Sequence, residues 1–211
     1  MSAITPAPVE AYLRAHAPPR DRVLMEMEAK ARRERIPIVG PLVGVVLFQL
    51  ASLAKARRIF ECGSAIGYST IWLARAVGPK GRVFYTESDK GRIRSAQDYL
   101  RRAGVLNRVT VLKGEALMSL KKTPGEFDLV FNDVDKDGYP SVWKEASRRI
   151  RPGGLFLSDN TLWSGRVADA SARDAWTKAI RAMNRSVAND RNYVASILPL
   201  RDGLTVAWRK P

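Results

Sequence analysis

Two residue types that build many active sites are almost absent from this chain. Its 211 residues contain one cysteine, Cys62, and one histidine, His16. A lone cysteine excludes a disulfide within the chain and any zinc or iron–sulfur site built from several cysteines, and it fits a reducing compartment. A lone histidine near the start of the chain argues against a histidine-based catalytic triad and against the usual zinc sites. We expect His16 to be a surface residue.

Long uncharged runs are equally scarce. Residues 36–54 carry no charge and are long enough to span a bilayer on length alone. Helix-breaking residues interrupt the first half of this run, at Pro37, Gly40, Pro41 and Gly44. The pattern predicts an irregular loop followed by a helix at 43–56, which is too short for a bilayer that needs about 20 residues. No basic segment followed by an apolar run opens the chain, so we predict a cytoplasmic protein without a signal peptide or a membrane partner.

Positive charge dominates the composition. Lys and Arg number 36 against 21 Asp and Glu, which gives a formal net charge of +15. This excess favours a polyanionic partner such as nucleic acid. The basic residues nevertheless fall in pairs along several predicted helices, as at 32–33, 101–102 and 148–149, which is typical of solvated helix faces. Nucleic acid is therefore the second choice of partner, behind a small molecule.

The length and a hydrophobic content of 45% allow one substantial core. We predict a single domain, 1–211, in which residues 57–211 form an α/β core. Residues 1–56 form a helical cap and a substrate-loop region, with two further helices at 9–17 and 20–35.

From residue 57 onward, strand-like runs alternate with helical segments. The predicted strands are 58–61, 82–86, 108–112, 127–131 and 154–158. The helices between them are 69–77, 90–103, 115–121 and 139–150. This alternation implies a parallel sheet with right-handed crossovers.

The end of the chain has a different pattern. A long helix at 170–187 precedes two strand-like runs at 193–198 and 204–208. The loop between these runs, 199–203, is short. We therefore expect the last two strands to pair antiparallel at or near one edge of the sheet.

Polar residues follow two of the parallel strands at the point where each strand ends. Asp133 comes just after the strand at 127–131, and Asp159 and Asn160 come just after the strand at 154–158. Ligands bind at this edge of open α/β sheets, and carboxylate and amide oxygens suit a hard divalent cation. We therefore predict a metal site with Lys136 beside it.

Each of these residues also has a purely structural interpretation. Asp133 or Asp135 could cap the following helix, Asp159 and Asn160 could form a turn, and Lys136 could be a solvated charge. Their joint occurrence at strand ends favours the functional interpretation.

The first strand leads into a glycine-containing turn. Gly63 and Gly67 allow the backbone to turn sharply and to approach a ligand before a helix begins. This spacing differs from the dinucleotide fingerprint, which needs three glycines. The next strand ends at Glu87, where an acidic side chain characteristically accepts hydrogen bonds from ribose hydroxyls. Together with Glu61, this predicts a site for a nucleoside without a pyrophosphate, although Glu87 alone could be an exposed loop residue.

The motifs, taken in order, resemble one known family. They are Glu61-x-Gly63-x-x-x-Gly67-Tyr68-Ser69, Glu87, Asp133-x-Asp135-Lys136-x-x-Tyr139, Asp159-Asn160-x-Leu162-Trp163-x-Gly165 and Leu198-Pro199-Leu200-x-Asp202-Gly203. The chain is similar to the cation-dependent S-adenosylmethionine O-methyltransferases, which include catechol and caffeoyl-coenzyme A O-methyltransferases. The resemblance implies a Rossmann-like, doubly wound, mostly parallel sheet of seven strands with an antiparallel last strand. It also implies N-terminal helices over the active site, and a homodimer.

The resemblance further assigns roles to residues of this chain. The residues assigned to S-adenosylmethionine are Val39, Glu61, Gly63, Ser64, Gly67, Ser69, Glu87, Glu115, Ala116 and Asp133. Within this set, Glu87 faces the ribose, and Glu115 and Ala116 face the adenine. The metal ligands are Asp133, Asp159 and Asn160, with Mg²⁺ or another divalent cation such as Mn²⁺ or Ca²⁺. Lys136 is the general base, and Lys136, Trp163 and Ser164 contact the acceptor.

The implied reaction is methylation of a hydroxyl on a catechol-type phenolic molecule. A phenol with a pKa of about 10 is a poor nucleophile at neutral pH, and a divalent cation would stabilise the phenolate. Lys136 can accept the proton only when neutral, the form that a neighbouring cation favours. Two alternatives stay open: a tRNA hydroxyuridine O-methyltransferase of the same family, and a catalytically silent module that binds an adenosine ligand or RNA.

Overall fold

A computed structural model describes residues 4–211, and its described part contains one seven-stranded sheet. The strands are β1 (Arg58–Cys62), β2 (Arg82–Glu87), β3 (Val109–Lys113), β4 (Phe127–Asn132), β5 (Ile150–Ser158), β6 (Tyr193–Leu198) and β7 (Leu204–Arg209). The helices are α1 (Ala7–Ala15), α2 (Arg22–Glu34), α3 (Gly40–Leu53), α4 (Tyr68–Ala76), α5 (Lys90–Arg102), α6 (Ala116–Lys122), α7 (Tyr139–Arg149) and α8 (Ala175–Ala188). Short 3₁₀ turns lie at Leu106–Arg108, Lys136–Gly138 and Trp163–Gly165.

The strand order is β3-β2-β1-β4-β5-β7-β6. Strands β1 to β5 pair in parallel, whereas β7 pairs antiparallel with both β5 and β6. The predicted doubly wound sheet with an antiparallel last strand is thus confirmed. The direction of winding changes between β1 and β4, and at such a switch point the loops after the strands diverge and leave a crevice.

The two faces of the sheet bury separate apolar layers. Ile59 of β1 and Leu129 of β4 pack on the layer formed with α3, α4 and α5, whereas Phe60 and Val130 pack on the layer formed with α6, α7 and α8. Successive residues alternate between the faces because side chains on a strand point to opposite sides. Because both faces of the sheet are covered by apolar layers, the polar side chains of the sheet lie mainly at the ends of the strands.

The structure corrects the predicted start of α3. The sequence predicts a loop followed by a helix at 43–56, but the helix begins at Gly40 and ends at Leu53. Pro41 lies in the first turn, where its missing N–H would have no partner in the helix in any case. Gly44 lies inside the helix, and its lack of a side chain makes room for Trp72, since a Cβ at this position would be 2.4 Å from Trp72 Nε1.

Other element boundaries differ from the prediction by a few residues. The largest shift is in α8, which begins at Ala175 rather than at residue 170. Asp174 caps this helix, and its carboxylate accepts a hydrogen bond of 3.0 Å from the backbone N–H of Thr177. His16 is exposed, as predicted, and its ring stacks on Tyr12. In the part of the chain that the structure describes, every helix is too short or too polar to span a bilayer.

Candidate active site

A cavity of about 1060 Å³ lies over the carboxyl ends of the parallel strands. Its floor is formed by residues that end or follow these strands: Gly63 after β1, Glu87 at the end of β2, Gly114 after β3, Asp133 after β4 and Asp159 after β5. Helix α2 and residues 36–38 form another part of the cavity wall. The cavity therefore gathers both predicted halves of the site, the glycine turn and the acidic cluster.

Gly63 is required by the close approach of two loops. Its φ is +80°, and a Cβ at this position would lie 2.5 Å from the backbone oxygen of Asp133. Its N–H donates to Thr86 Oγ1 at 3.1 Å, and Thr86 in turn donates to the carbonyl of Glu61 at 2.7 Å. Sequence reasoning missed Thr86, because nothing in its local sequence distinguishes it from an ordinary strand residue.

Most of the other residues predicted around the turn lie in the layer behind the cavity wall. Glu61, Ser64, Gly67 and Ser69 are buried there, and Val39, in the loop before α3, is buried as well. Glu61 Oε2 accepts a hydrogen bond of 2.5 Å from Thr70, and burial raises the pKa of the Glu61 carboxyl against the opposing effect of hydroxyls at Ser69 and Thr70. Gly67 has a φ of +85° and packs against Ala96 of α5. These buried residues support the glycine turn on the side away from the cavity.

Glu87 lies on the cavity wall in a fixed orientation. Its Oε1 accepts hydrogen bonds from the N–H groups of Ser88 at 2.7 Å and Asp89 at 2.9 Å. Its Oε2 lies 3.6 Å from the guanidinium of Arg92, which also lines the cavity. The carboxylate is thus held at the end of β2 and points one oxygen toward a basic residue that the sequence did not single out.

Glu115 and Ala116 line the cavity where α6 begins. The carboxylate of Glu115 caps this helix and accepts hydrogen bonds from the N–H groups of Leu117 at 2.8 Å and Met118 at 2.7 Å. Glu115 therefore has a structural role as an N-cap. Its predicted contact with adenine stays a prediction.

The acidic cluster forms where β4 and β5 end side by side. Asp159 N–H donates to the carbonyl of Asn132 at 3.1 Å, which keeps the two strand ends in register. Lys136 Nζ donates to Asn160 Oδ1 at 2.8 Å and lies 3.5 Å from Asp133 Oδ1. The structure thus brings together the three predicted metal ligands and the predicted general base.

The carboxylates of this cluster are poorly compensated. Asp159 is 2% exposed, and its Oδ1 has no hydrogen-bond partner within residues 4–211. Burial, together with the charge of Asp159, raises the pKa of Asp133 to about 8. Burial also raises the pKa of Asp159, although the nearby charges of Arg201 and Lys136 oppose this. Ionised carboxylates are therefore unfavourable here without a further cation, and a divalent cation bound between them would favour their ionised forms.

Two carboxylates and an amide make up this cluster. The described residues include no group of three or more His, Cys, Asp or Glu side chains placed to hold a metal ion. Asn160 would thus have to supply the third protein oxygen, and amide oxygens are accepted ligands of Mg²⁺ and Ca²⁺. The chain bends at Asp159 and Asn160 has a φ of +55°, so the two residues also redirect the chain after β5.

The capping alternative for the acidic turn is wrong. Helix α7 begins after Gly138, and no side chain caps its first turn. Asp135 precedes the 3₁₀ turn at Lys136–Gly138, and its side chain makes no capping hydrogen bond there either. Helix capping therefore does not explain the aspartates of this turn.

Tyr139 and Arg201 join the site although neither was predicted as a site residue. The hydroxyl of Tyr139 accepts a hydrogen bond of 2.7 Å from Lys136 Nζ and donates one of 2.8 Å to the carbonyl of Asp159. The guanidinium of Arg201 donates to the carbonyls of Ile38, at 3.0 Å, and Val39. Tyr139 could have been found from its place in the acidic motif, whereas Arg201 has no local signal, because its partners are more than 160 residues away.

Trp163 and Ser164 lie in a tight turn after the cluster. Both have positive φ, 48° and 51°. The ring centroid of Trp163 lies 5.7 Å from Lys136 Nζ, and the ring packs edge-on against Trp176. Ser164 donates its N–H to the carboxylate of Asp202. Trp163 lines the cavity and can face an acceptor, while Ser164 helps to hold the turn.

The chain matches known proteins over most of its length. Residues 20–210 match the model of a family described as O-methyltransferase. A catechol O-methyltransferase of Niastella koreensis is 34% identical over 178 residues, which are 80% of each chain. A crystal structure of a putative O-methyltransferase from Klebsiella pneumoniae superposes with a TM-score of 0.88 at 33% identity and covers 97% of both chains. An O-methyltransferase from Bacillus cereus in complex with SAH superposes with a TM-score of 0.87 at 31% identity, over 96% of this chain and 97% of that one.

Proposed function

The chain belongs to the O-methyltransferase family and is a methyltransferase, and from this premise we propose its cofactor, metal and acceptor. It transfers the methyl group of S-adenosylmethionine to one hydroxyl of a phenol that carries two vicinal hydroxyl groups. A divalent cation, Mg²⁺ in the first instance, binds at Asp133, Asp159 and Asn160. The observation that carries the proposal is the buried carboxylate of Asp159 beside Asp133, whose Oδ1 has no hydrogen-bond partner among residues 4–211, at the floor of the same cavity as Glu87.

The cofactor assignment is supported by the glycine-turn half of the cavity. Glu87 presents a carboxylate of fixed orientation at the end of β2, where ribose hydroxyls are bound in related sheets. Gly63 lets the turn after β1 pack directly against the backbone of Asp133, where a Cβ would be 2.5 Å from the Asp133 backbone oxygen. The Bacillus cereus relative, which superposes over this whole region, is described as a complex with SAH.

The metal assignment is supported by the chemistry of the donors. Hard cations prefer carboxylate and amide oxygens, and Asp133, Asp159 and Asn160 supply both kinds. An unpartnered oxygen on a buried carboxylate is costly unless a cation compensates it. Asp159 Oδ1 is such an atom among residues 4–211. A bound divalent cation would stabilise the phenolate form of the acceptor.

The chain's own residues orient the acceptor and remove its proton. Tyr139 and the face of Trp163 hold the Lys136 side chain over the cluster. When neutral, Lys136 Nζ accepts the proton of the acceptor hydroxyl. The resulting phenolate oxygen bonds to the methyl carbon as the carbon–sulfur bond breaks, and the bonding pair stays on the sulfur. Rate then depends on alignment, and residues at rigid strand ends provide this.

The test is methyl transfer from labelled S-adenosylmethionine to a panel of catechols, with Mg²⁺ or with EDTA. We expect label on a catechol only with the metal, and its loss in Asp159→Asn. Asp135→Asn is the matched control, because it removes the same charge from the same cavity outside the ligand set. Mn²⁺ binding followed by electron paramagnetic resonance gives a readout independent of turnover. Full activity of Asp159→Asn, or unchanged Mn²⁺ affinity, would refute the ligand assignment.

The net charge of +15 supports a second candidate, a hydroxylated uridine of tRNA as acceptor. This candidate uses the same cofactor and metal. Hypomodified tRNA offered in the same assay separates the two, since binding to tRNA should weaken steeply as salt rises. Label confined to tRNA would replace the small phenol as the acceptor.

A further inference from the structure

Helix α2 presents one continuous face to the cavity. Glu28, Ala31, Arg32 and Arg35 line the cavity, and their spacing of three and four residues places them on one side of the helix. Arg35 ends the helix with a φ of +55°, and the chain then turns directly into the loop that continues the cavity wall. Two arginines therefore stand at the end of α2 that joins this loop.

The basic residues on the other faces of α2 are all paired with carboxylates. Arg22 lies 2.9 Å from Glu26, and Lys30 lies 2.6 Å from Glu34. Arg33 lies 2.8 Å from the second oxygen of Glu34. These residues form the solvated, ion-paired surface that the sequence predicted for the basic helices.

The charged residues on the cavity face of α2 have a different pattern of ion pairs. Glu28, its acidic residue, is 8% exposed and is already bonded to the hydroxyl of Tyr68 at 2.8 Å and to Arg20 at 3.2 Å. Arg32 and Arg35 make neither an ion pair nor a side-chain hydrogen bond with any residue between positions 4 and 211. The unpaired arginines of this helix are thus the ones that line the cavity.

We propose that Arg32 and Arg35 form an anion subsite for the acceptor, which binds a carboxylate or phosphate group remote from the two hydroxyls. The planar guanidinium group matches both anions through paired hydrogen bonds. Asp135 and Asp137 also line the cavity, and neither lies within ion-pair distance of these arginines in residues 4–211. The inference rests on the proposed function and narrows it to acidic catechols.

The experiment compares three probes that share one ring, 3,4-dihydroxybenzoate, its methyl ester and the corresponding phosphonate. We measure kcat/KM for each with S-adenosylmethionine and Mg²⁺, in the wild type and in the double variant Arg32→Gln/Arg35→Gln. Arg33→Gln is the matched control, since Arg33 lies on the same helix and is paired with Glu34 at the surface. The readout is the ratio of kcat/KM for an anionic probe to that for the ester.

We expect the wild type to prefer one or both anionic probes over the ester by at least about tenfold, as hydrogen bonds to charged groups are among the stronger ones. The preference should collapse in the double variant and persist in Arg33→Gln. The carboxylate and the phosphonate together show which anion the subsite takes. A wild type that methylates ester and acids equally overturns the subsite alone. A wild type that methylates no probe refutes the proposed function itself, and a ratio that falls equally in Arg33→Gln refutes the role of the cavity face.

Discussion

Replacing Asp159 by asparagine should stabilise the protein in the absence of metal while removing its activity. Asp159 is 2% exposed, and its Oδ1 has no partner among the residues that the structure describes. Burial and the charge of Asp159 raise the pKa of Asp133 to about 8, so the ionised form of Asp133 is unfavourable beside Asp159. Lys136 and Arg201 compensate part of this charge. Asparagine has nearly the same shape and is neutral, so the substitution removes the negative charge that these residues leave uncompensated.

The magnitude follows from the cost of a buried polar group without a partner. That cost is about 1–3 kcal/mol for a neutral group and larger for a charged one. Asparagine keeps a polar atom at this place but removes the charge, so in EDTA the free energy of unfolding should rise by about 1–3 kcal/mol. For chains of this length, roughly 2–4 °C correspond to each kcal/mol, which gives an increase of roughly 2–12 °C in Tm. The assay is thermal and urea unfolding of both proteins in EDTA.

The difference between variant and wild type should also depend on pH in one direction. The folded protein holds the pKa of Asp133 and of Asp159 above the ordinary aspartate value of 3.8, so it binds protons that the unfolded chain has lost. The two ionised carboxylates therefore destabilise the wild type fully above about pH 8, and this destabilisation is relieved as the pH falls and they become protonated. In EDTA, we expect the gap to be largest near the upper end of this range and to close toward pH 4.

Metal should reverse the order of stability. At 1,000 times its Kd, a ligand that binds only the folded state adds about 4.1 kcal/mol, which exceeds the gain expected for the variant in EDTA. The wild type should gain this in excess Mn²⁺, and Asp159→Asn should gain little. Asp135→Asn should respond to Mn²⁺ as the wild type does. A variant that is less stable than the wild type in EDTA would show that the carboxylate only holds the turn, and equal stabilisation of all three proteins by Mn²⁺ would place the ion elsewhere.

Two further substitutions test the geometry of the site. A left-handed backbone costs about 1–2 kcal/mol with a side chain, and Gly63→Ala should lower the free energy of unfolding by more than this, since its Cβ would be 2.5 Å from a backbone oxygen. Gly78→Ala is the control, because Gly78 has a φ of +68° but its Cβ would have nothing within 4 Å. If urea unfolding shows the same loss of stability in both variants, the close approach of the two loops at Gly63 is not what requires glycine there. Tyr139→Phe should lower kcat about fivefold to tenfold and shift its pH profile, because the hydroxyl positions Lys136 and one hydrogen bond is worth about 1 kcal/mol. Tyr193→Phe removes a similar hydroxyl bond far from the cavity and should lower stability without moving that profile.

The local pattern of the sequence was sufficient for the order of elements and for the polar residues at strand ends. Alternating apolar runs and helical segments are properties of contiguous residues, and the parallel sheet follows from them. Asp133 and Asp159 follow their strands in sequence, so their meeting at one edge follows from the pairing of β4 with β5. The family resemblance then supplied the roles that the pattern alone left open.

Only the tertiary structure decided how these residues are used. Helix α3 begins at Gly40 and includes Gly44, whose lack of a side chain accommodates Trp72, and a count of helix-breaking residues in the local sequence cannot predict this contact. Arg201 holds the loop at 38–39 from the far end of the chain. Which arginines of α2 are paired and which line the cavity depends on how that helix packs over the sheet. Sequence periodicity fixes which residues share a face, but the neighbour that each face meets is set by packing between distant segments.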